Sequence, residues 1–378
     1  MRVGLYIPLL DERPAGVGVY IEEVCSRLVA LHPDVMIYTG SPNAKRAWID
    51  PSRVREFGRS ALPVVPRLEG LRRRARRLRW LGSTAKHDLQ RDGVDVLFSP
   101  VQEGPLLGEV PTVMVMHDLT ALKVPEAYSR ATVWQTRWVV PRMLARCARV
   151  VAVSQNTRSD LLEAFKLDPA RIEVIGEGCD RAIFRPRSAA DIAGVRTRLG
   201  ISGRYLLYAG TFSRHKNLSS VATALLQLPS DVSLVLVGRK DAGAYAEFEA
   251  LVRQLGLTSR VHTPGYVTRD ELAVLMSGAS VFVYPSRYEG FGLAPLEAMA
   301  CGAPVVASRV ASLPEVVGEG GRLLTEGEAW GPALQAVLES ARAEWSARAV
   351  SQSNRFHWHD AVARVLALLH DVVSRGVT

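Results

Sequence analysis

Glu289 and Glu297 stand near the two ends of YEGFGLAPLEA (288–298), and the seven residues between them carry no charge. Two of the seven are glycines and one is a proline. The preceding segment, VFVYPS (281–286), reads as a strand. Proline is tolerated at the first position of a helix, so a helix is expected to begin at Pro295. Glu297 is then its third residue, and Glu289 lies on the loop before it. The two acids flank a strand-to-helix turn and do not share a helix face. Such a turn suits an anion. Gly290 and Gly292 let the backbone approach closely. The amides of Phe291, Gly292 and Leu293 can point outward, and the helix N-terminus adds a partial positive charge. A phosphate or diphosphate fits there. The carboxylates would repel it, so they are assigned to hydroxyls on either side, a ribose and a sugar. The ligand this describes is a nucleotide-sugar. Alone, an acid in a first helical turn complements the dipole, and a glycine-rich turn is only a turn. The strand, Glu, Gly-x-Gly, Pro-x-Glu and the following Gly302-Ala303-Pro304 together carry the ligand assignment.

A scaffold must hold that turn at the end of a buried strand. In the first half, short apolar segments at 2–8, 34–40, 94–100, 112–118, 149–154 and 171–176 read as strands buried on both faces. Helical patterns such as GVYIEEVCSRLVALH and NTRSDLLEAFK lie between them. The second half repeats the alternation, with strands at 204–210, 232–238, 281–286 and 304–308. Helices are expected at about 217–228, 244–255, 269–278 and 295–301. An α/β fold of two Rossmann-like, doubly wound domains facing a cleft follows, with ligands beyond the carboxyl ends of strands. The linker is placed in DRAIFRPRSAA (180–190). Boundaries of 1–180, 181–353 and 354–378 result, the last containing the amphipathic segment WHDAVARVLALLHDVV.

Composition narrows the alternatives. The 378 residues exceed one ordinary core. At 48% hydrophobic and 22% charged, the chain is globular in balance. The N-terminal MRVGLYIPLLDERP lacks the long apolar region of a signal peptide and reads as a first strand. No apolar run is long enough to span a bilayer. Four scattered cysteines, with no C-x-x-C pair, fit small buried residues in a reducing cytoplasm. The net charge is +9, yet LRRRARRLRW (71–80) holds six arginines and no acid. Without them 41 basic residues face 38 acidic ones, so the chain is not a generally basic, nucleic-acid-binding one.

EGFGLAPLE resembles the E-x7-E signature of retaining glycosyltransferase family 4, which adopts the GT-B fold. The similarity continues through AMACGAPVVASRVASLPEVVGEGGRLL, VVAVSQNTRSDLLEAFKLDPARIEVIGEG, LLYAGTFSRHKNL, LVLVGRK and VHTPGYVTRDELAVLMSGASVFVYPS, covering about residues 1–325. The resemblance implies that the C-terminal domain binds the nucleotide-sugar and that the final helix crosses back to the N-terminal domain. It implies a ribose contact for Glu297 and donor-sugar contacts for Glu289. Phosphate contacts fall to the amides of Gly292 and Leu293, and diphosphate neutralisation to Lys216. Thr211 stands where many members carry arginine, as in the mannosyltransferase-like branch, and Arg214 is a substitute cation. GDP-mannose is the favoured donor on that pattern, and UDP-sugars stay open. AGVGVY (15–20) resembles the family's G-G-x-G loop, with Ala15 at its first glycine and Gly16 and Gly18 able to approach diphosphate or acceptor. MHDLTALKVPEAYS resembles the H-D segment, which places His117 at a strand's carboxyl end facing the cleft. Asp118 either orients that imidazole or caps the next segment. EGCD (177–180) replaces the usual N-G before Val-Asp, and no contact is assigned there.

The chemistry expected is sugar transfer from a nucleoside diphosphate to an acceptor hydroxyl, with retention by front-face attack. The acceptor is a glycan, a lipid-linked glycan or a small molecule. No D-x-D motif is present and no metal or cofactor is assigned beyond the nucleotide-sugar co-substrate. The arginine run at 71–80 is either a solvated helix, with Leu71, Ala75 and Leu78 on one face, or a peripheral contact with an anionic membrane or acceptor. A same-fold sugar-nucleotide epimerase and a non-catalytic binder of anionic surfaces are the alternatives. A phosphorylase would need a pyridoxal lysine, which nothing marks.

Overall fold

The computed structural model describes residues 1–8, 16–40, 46–57 and 75–376. The chain divides into two compact units. Met1–Leu122, Arg130–Glu177 and Trp358–Thr378 form the first; Lys123–Ser129 and Gly178–His357 form the second.

The first unit is built on a parallel sheet of β1 (Val3–Ile7), β2 (Val35–Thr39), β3 (Val54–Glu56), β4 (Val96–Ser99), β5 (Thr112–Met116), β6 (Arg149–Ala152) and β7 (Ile172–Val174). Their spatial order is β3-β2-β1-β4-β5-β6-β7. Every residue of β1, β2, β4 and β5 is buried, which is why these segments read as unbroken apolar runs. The C-terminal helix Trp358–Arg375 belongs to this unit. It buries Trp358, Ala361, Val362, Val365, Leu369 and Val372, one face at helical spacing, against the helix Val17–Leu31. The rings of Tyr20 and Trp358 lie 5.8 Å apart in that contact.

The second unit has a parallel sheet of β8 (Arg204–Ala209), β9 (Val232–Val237), β10 (Val261–His262), β11 (Val281–Tyr284), β12 (Val305–Ser308) and β13 (Gly321–Leu324). Its order is β10-β9-β8-β11-β12-β13. Both sheets therefore reverse direction beside their first strand, between β1 and β4 and between β8 and β11. Ligands in doubly wound sheets bind outside the carboxyl ends of strands at such a reversal.

Three strands were not anticipated: β3, β10 and β13. All lie at sheet edges, where one side needs no apolar cover. Their residues, VRE, VH and GRLL, are mostly half-buried and hold no long apolar run. The arginine run is helical over residues 75–79. Residues 71–74 lie outside the described residues. Of the rest, Ala75 and Leu78 face solvent, Leu78 at 53% exposure, while Trp80 is in the core. Trp80 stacks on Tyr6 and Phe57, each 5.2 Å away, and fixes the end of the run to the sheet.

All four cysteines are buried and unbridged. Burial pushes the thiols of Cys147 and Cys301 up to about 12, so neither is a nucleophile near neutrality. Among the described residues, no helix is long and apolar enough to cross a membrane.

Candidate active site

The reversal in the second sheet brings two loops together. β8 and β11 are hydrogen-bonded neighbours, with Leu206 opposite Val281 and Leu207 opposite Phe282. The loop after β8 carries Thr211, Arg214 and Lys216; the loop after β11 carries Glu289 to Gly292. Lys216 and Glu289, 73 residues apart, meet with Nζ 2.6 Å from Oε1. Both side chains are only 12% exposed. The backbones are tied as well, since the Arg287 N–H donates to the His215 carbonyl at 2.8 Å. Lys216 is followed by Asn217 at φ 52°, a left-handed conformation that asparagine adopts more readily than most residues. This turn separates the short Arg214–Lys216 helix from the helix Leu218–Leu225. Lys216 Nζ also lies 5.5 Å from the ring centre of Tyr284. Burial, reinforced by Glu289, pushes the Tyr284 hydroxyl well above its ordinary range. Tyr208, stacked on Tyr284 at 5.9 Å, is raised by burial too, against an opposing pull from Lys216. The two phenols are an uncharged wall beneath the ion pair.

The glycine turn is shaped by packing. Gly292 has φ 113°, and a Cβ there would meet Leu313 Cδ2 at 2.9 Å, so no other residue fits without displacement. Gly292 is the N-cap of the helix Leu293–Ala300. This corrects the expected start at Pro295. The first helical bond runs from the Leu296 N–H to the Gly292 carbonyl, 3.2 Å. Pro295 thus occupies the last position at which no N–H is required, and the amides before it belong to the unsatisfied N-terminal set. Glu297 becomes the fifth helical residue, 8% exposed. Its carboxylate opposes ionisation of Tyr284, Cys179 and Cys301 around it. Phe291 turns its ring inward against Phe356, centroids 5.9 Å apart. The turn has a strut that sequence reasoning missed. Buried Ser312 shares its hydroxyl proton between the carbonyls of Glu289 (2.9 Å) and Phe291 (2.7 Å). In ASLPE this serine reads only as a helix start; its tie across 21 residues leaves no local signal.

Arg214 and Lys216 do not act as a pair. Arg214 is 58% exposed and grips Glu247, on the helix Ala242–Gln254, through both carboxylate oxygens. The Thr211 carbonyl accepts the Tyr208 hydroxyl at 2.9 Å, and the residue is half-buried.

The remaining candidates lie in the first unit. Ala15 lies outside the described residues. Gly16, at φ 53°, is the N-cap of the helix Val17–Leu31, and its carbonyl accepts the N–H groups of Val19 and Tyr20 at 2.9 and 3.1 Å. Its positive φ favours glycine. Gly18 is the second residue of that helix and half-buried. His117 follows β5 and is 5% exposed. Its Nε2 donates to the Pro100 carbonyl at 2.8 Å, and the ring stands edge-on to Tyr20 at 4.8 Å. Nδ1 faces Glu177 Oε1 at 3.6 Å, too long for a hydrogen bond. Asp118 caps instead: its carboxylate accepts the Thr120 N–H at 2.8 Å. Glu177 is therefore the acid beside the imidazole. The EGCD departure marked its position but not its partner.

Comparison with known proteins identifies the family. Residues 14–182 match the model of Glycosyltransferase Family 4, and residues 197–352 match that of Glycosyl transferases group 1. The O-antigen chain mannosyltransferase B of Escherichia coli is 31% identical over 265 residues, 67% of this chain and 68% of the relative. The D-inositol 3-phosphate glycosyltransferase of Xylanimonas cellulosilytica is 32% identical over 288 residues, 71% of this chain and 68% of the relative. Among solved structures, Anabaena Alr3699/HepE in complex with UDP and glucose superposes with a TM-score of 0.77 at 21% identity, covering 98% of this chain and 100% of that one. The two parallel sheets, the loops at their reversals and these matches together establish that the chain belongs to glycosyltransferase family 4, on the GT-B fold.

Proposed function

We propose that this glycosyltransferase takes a hexose from a nucleoside diphosphate and delivers it, with retention, to a hydroxyl of a glycan, lipid-linked or small-molecule acceptor. Mannose from GDP-mannose is the favoured donor. The observation that carries the proposal is the buried Lys216–Glu289 pair beside the Gly292 turn, at the reversal of the second sheet. Lys216 and the amides at the start of the helix Leu293–Ala300 are placed to receive the diphosphate, Glu297 the ribose hydroxyls and Glu289 the sugar hydroxyls. In the step itself the bond from the anomeric carbon to the diphosphate oxygen breaks. The acceptor oxygen bonds to the same face, and its proton passes to the departing diphosphate. Lys216 and the turn amides stabilise the charge that develops there, so the chain's own cations and dipoles, and no metal, are taken to supply it. Glu289 is held by Lys216 and assigned to hydroxyls, which argues against its serving as a covalent nucleophile. His117, held by the Pro100 carbonyl, is kept as the catalytic candidate of the first unit.

The mannose preference draws on the Thr211 loop and on the mannosyltransferase relative. UDP-sugars are the second reading, since Alr3699/HepE is solved with UDP and glucose. Thermal unfolding in the presence of GDP, UDP, GDP-mannose and UDP-glucose separates them. A nucleotide at a hundred times its Kd adds about 2.7 kcal/mol to stability and raises Tm accordingly. GDP and GDP-mannose are expected to do so. A shift with UDP alone would move the donor to the second reading, and no shift with any nucleotide would remove the donor assignment.

A further inference from the structure

A second surface is built for something other than the donor. The helix Arg130–Trp138 puts Arg130, Trp134, Arg137 and Trp138 at i, i+4, i+7 and i+8, a single stripe along its surface. All four side chains are exposed, Trp134 at 60% and Trp138 at 51%. Of the remaining positions Thr136 is buried, Val133 and Gln135 are half-buried, and Ala131 and Thr132 are exposed. The next helix, Val140–Arg146, adds exposed Arg142 and Arg146. From Arg130 to Arg149 the chain has five arginines and no acid. Two indoles left in water on one stripe mark a contact surface, and the arginines around them give that surface one sign of charge.

We infer that this stripe is a membrane-contact face for anionic lipid. Indoles settle at the boundary between headgroups and acyl chains, and arginines beside them reach the lipid phosphates. The run at 71–80 is less suited among its described residues: Arg77 is committed to Glu103 at 3.5 Å and Trp80 to the core. The inference is independent of the donor and the reaction.

The test is co-sedimentation with vesicles of phosphatidylglycerol and phosphatidylcholine, against phosphatidylcholine alone, with indole emission followed in parallel. The wild-type chain, W134S/W138S and R130Q/R137Q are compared, with melting curves confirming that each is folded. The wild type is expected to bind anionic vesicles with blue-shifted emission, and each double variant to bind at least about tenfold more weakly. Equal binding to neutral vesicles overturns the inference, as does undiminished binding by W134S/W138S, which would transfer the contact to 71–80. A concentration-dependent dimer without vesicles, abolished in W134S/W138S, would overturn it by making a second copy the occupant.

Discussion

Lys216→Met is expected to lower turnover by about 10²- to 10³-fold, the range for removing one preorganised stabiliser of transition-state charge. Steady-state kinetics with saturating donor reads this directly. The structure adds a second expectation. Glu289 is 12% exposed and loses its counter-ion, so the variant is also expected to lose about 3 kcal/mol of stability, as when one member of a buried ion pair is removed. Melting curves must therefore accompany the kinetics. Lys216→Met combined with Glu289→Gln separates the two effects, since it discharges the carboxylate as well. The double variant is expected to recover most of the stability and none of the activity. Near-normal turnover in a folded Lys216→Met chain would take Lys216 out of the site.

Glu297→Ala is expected to cost about 10²-fold in kcat/KM, through loss of charge-assisted hydrogen bonds to the ribose. The loss should fall on donor binding, measured as a weakened thermal shift with the nucleoside diphosphate alone. That readout distinguishes the two glutamates. Glu289→Gln, at the sugar end, is expected to leave diphosphate binding intact while harming transfer. If Glu297→Ala binds the nucleoside diphosphate as tightly as the wild type, the ribose assignment fails.

Much of this molecule can be read from its residues, for reasons that differ by element. Strands buried on both faces announce themselves, because β1, β2, β4 and β5 have no position at which a polar residue is harmless. The edge strands β3, β10 and β13 have such positions and stay silent. Gly292 is legible because its conformation, at φ 113°, strongly favours glycine. Pro295 points to a helix start but misplaces it by two residues, since proline is equally harmless anywhere in a first turn. Partnerships are what sequence conceals. The family resemblance gives Lys216 and Glu289 different parts of a ligand, and the structure pairs them with each other. Glu177 beside His117, Ser312 under the glycine turn and Glu247 on Arg214 all arise from chain segments meeting across a sheet end or between neighbouring elements. Local spacing encodes none of them.

The pairing of the site's cations sets how a donor can arrive. Lys216 is matched by Glu289 and Arg214 by Glu247. Cancelled charges project little field past one Debye length, about 8 Å at physiological ionic strength, so a diphosphate gains little from long-range steering. On the proposed site assignment it is expected to come close and then displace a carboxylate, a short-range exchange of partners. The association rate constant, followed by stopped-flow fluorescence, is therefore expected to stay nearly flat as salt is raised. A steep decline would mean that cations other than these two draw the donor in.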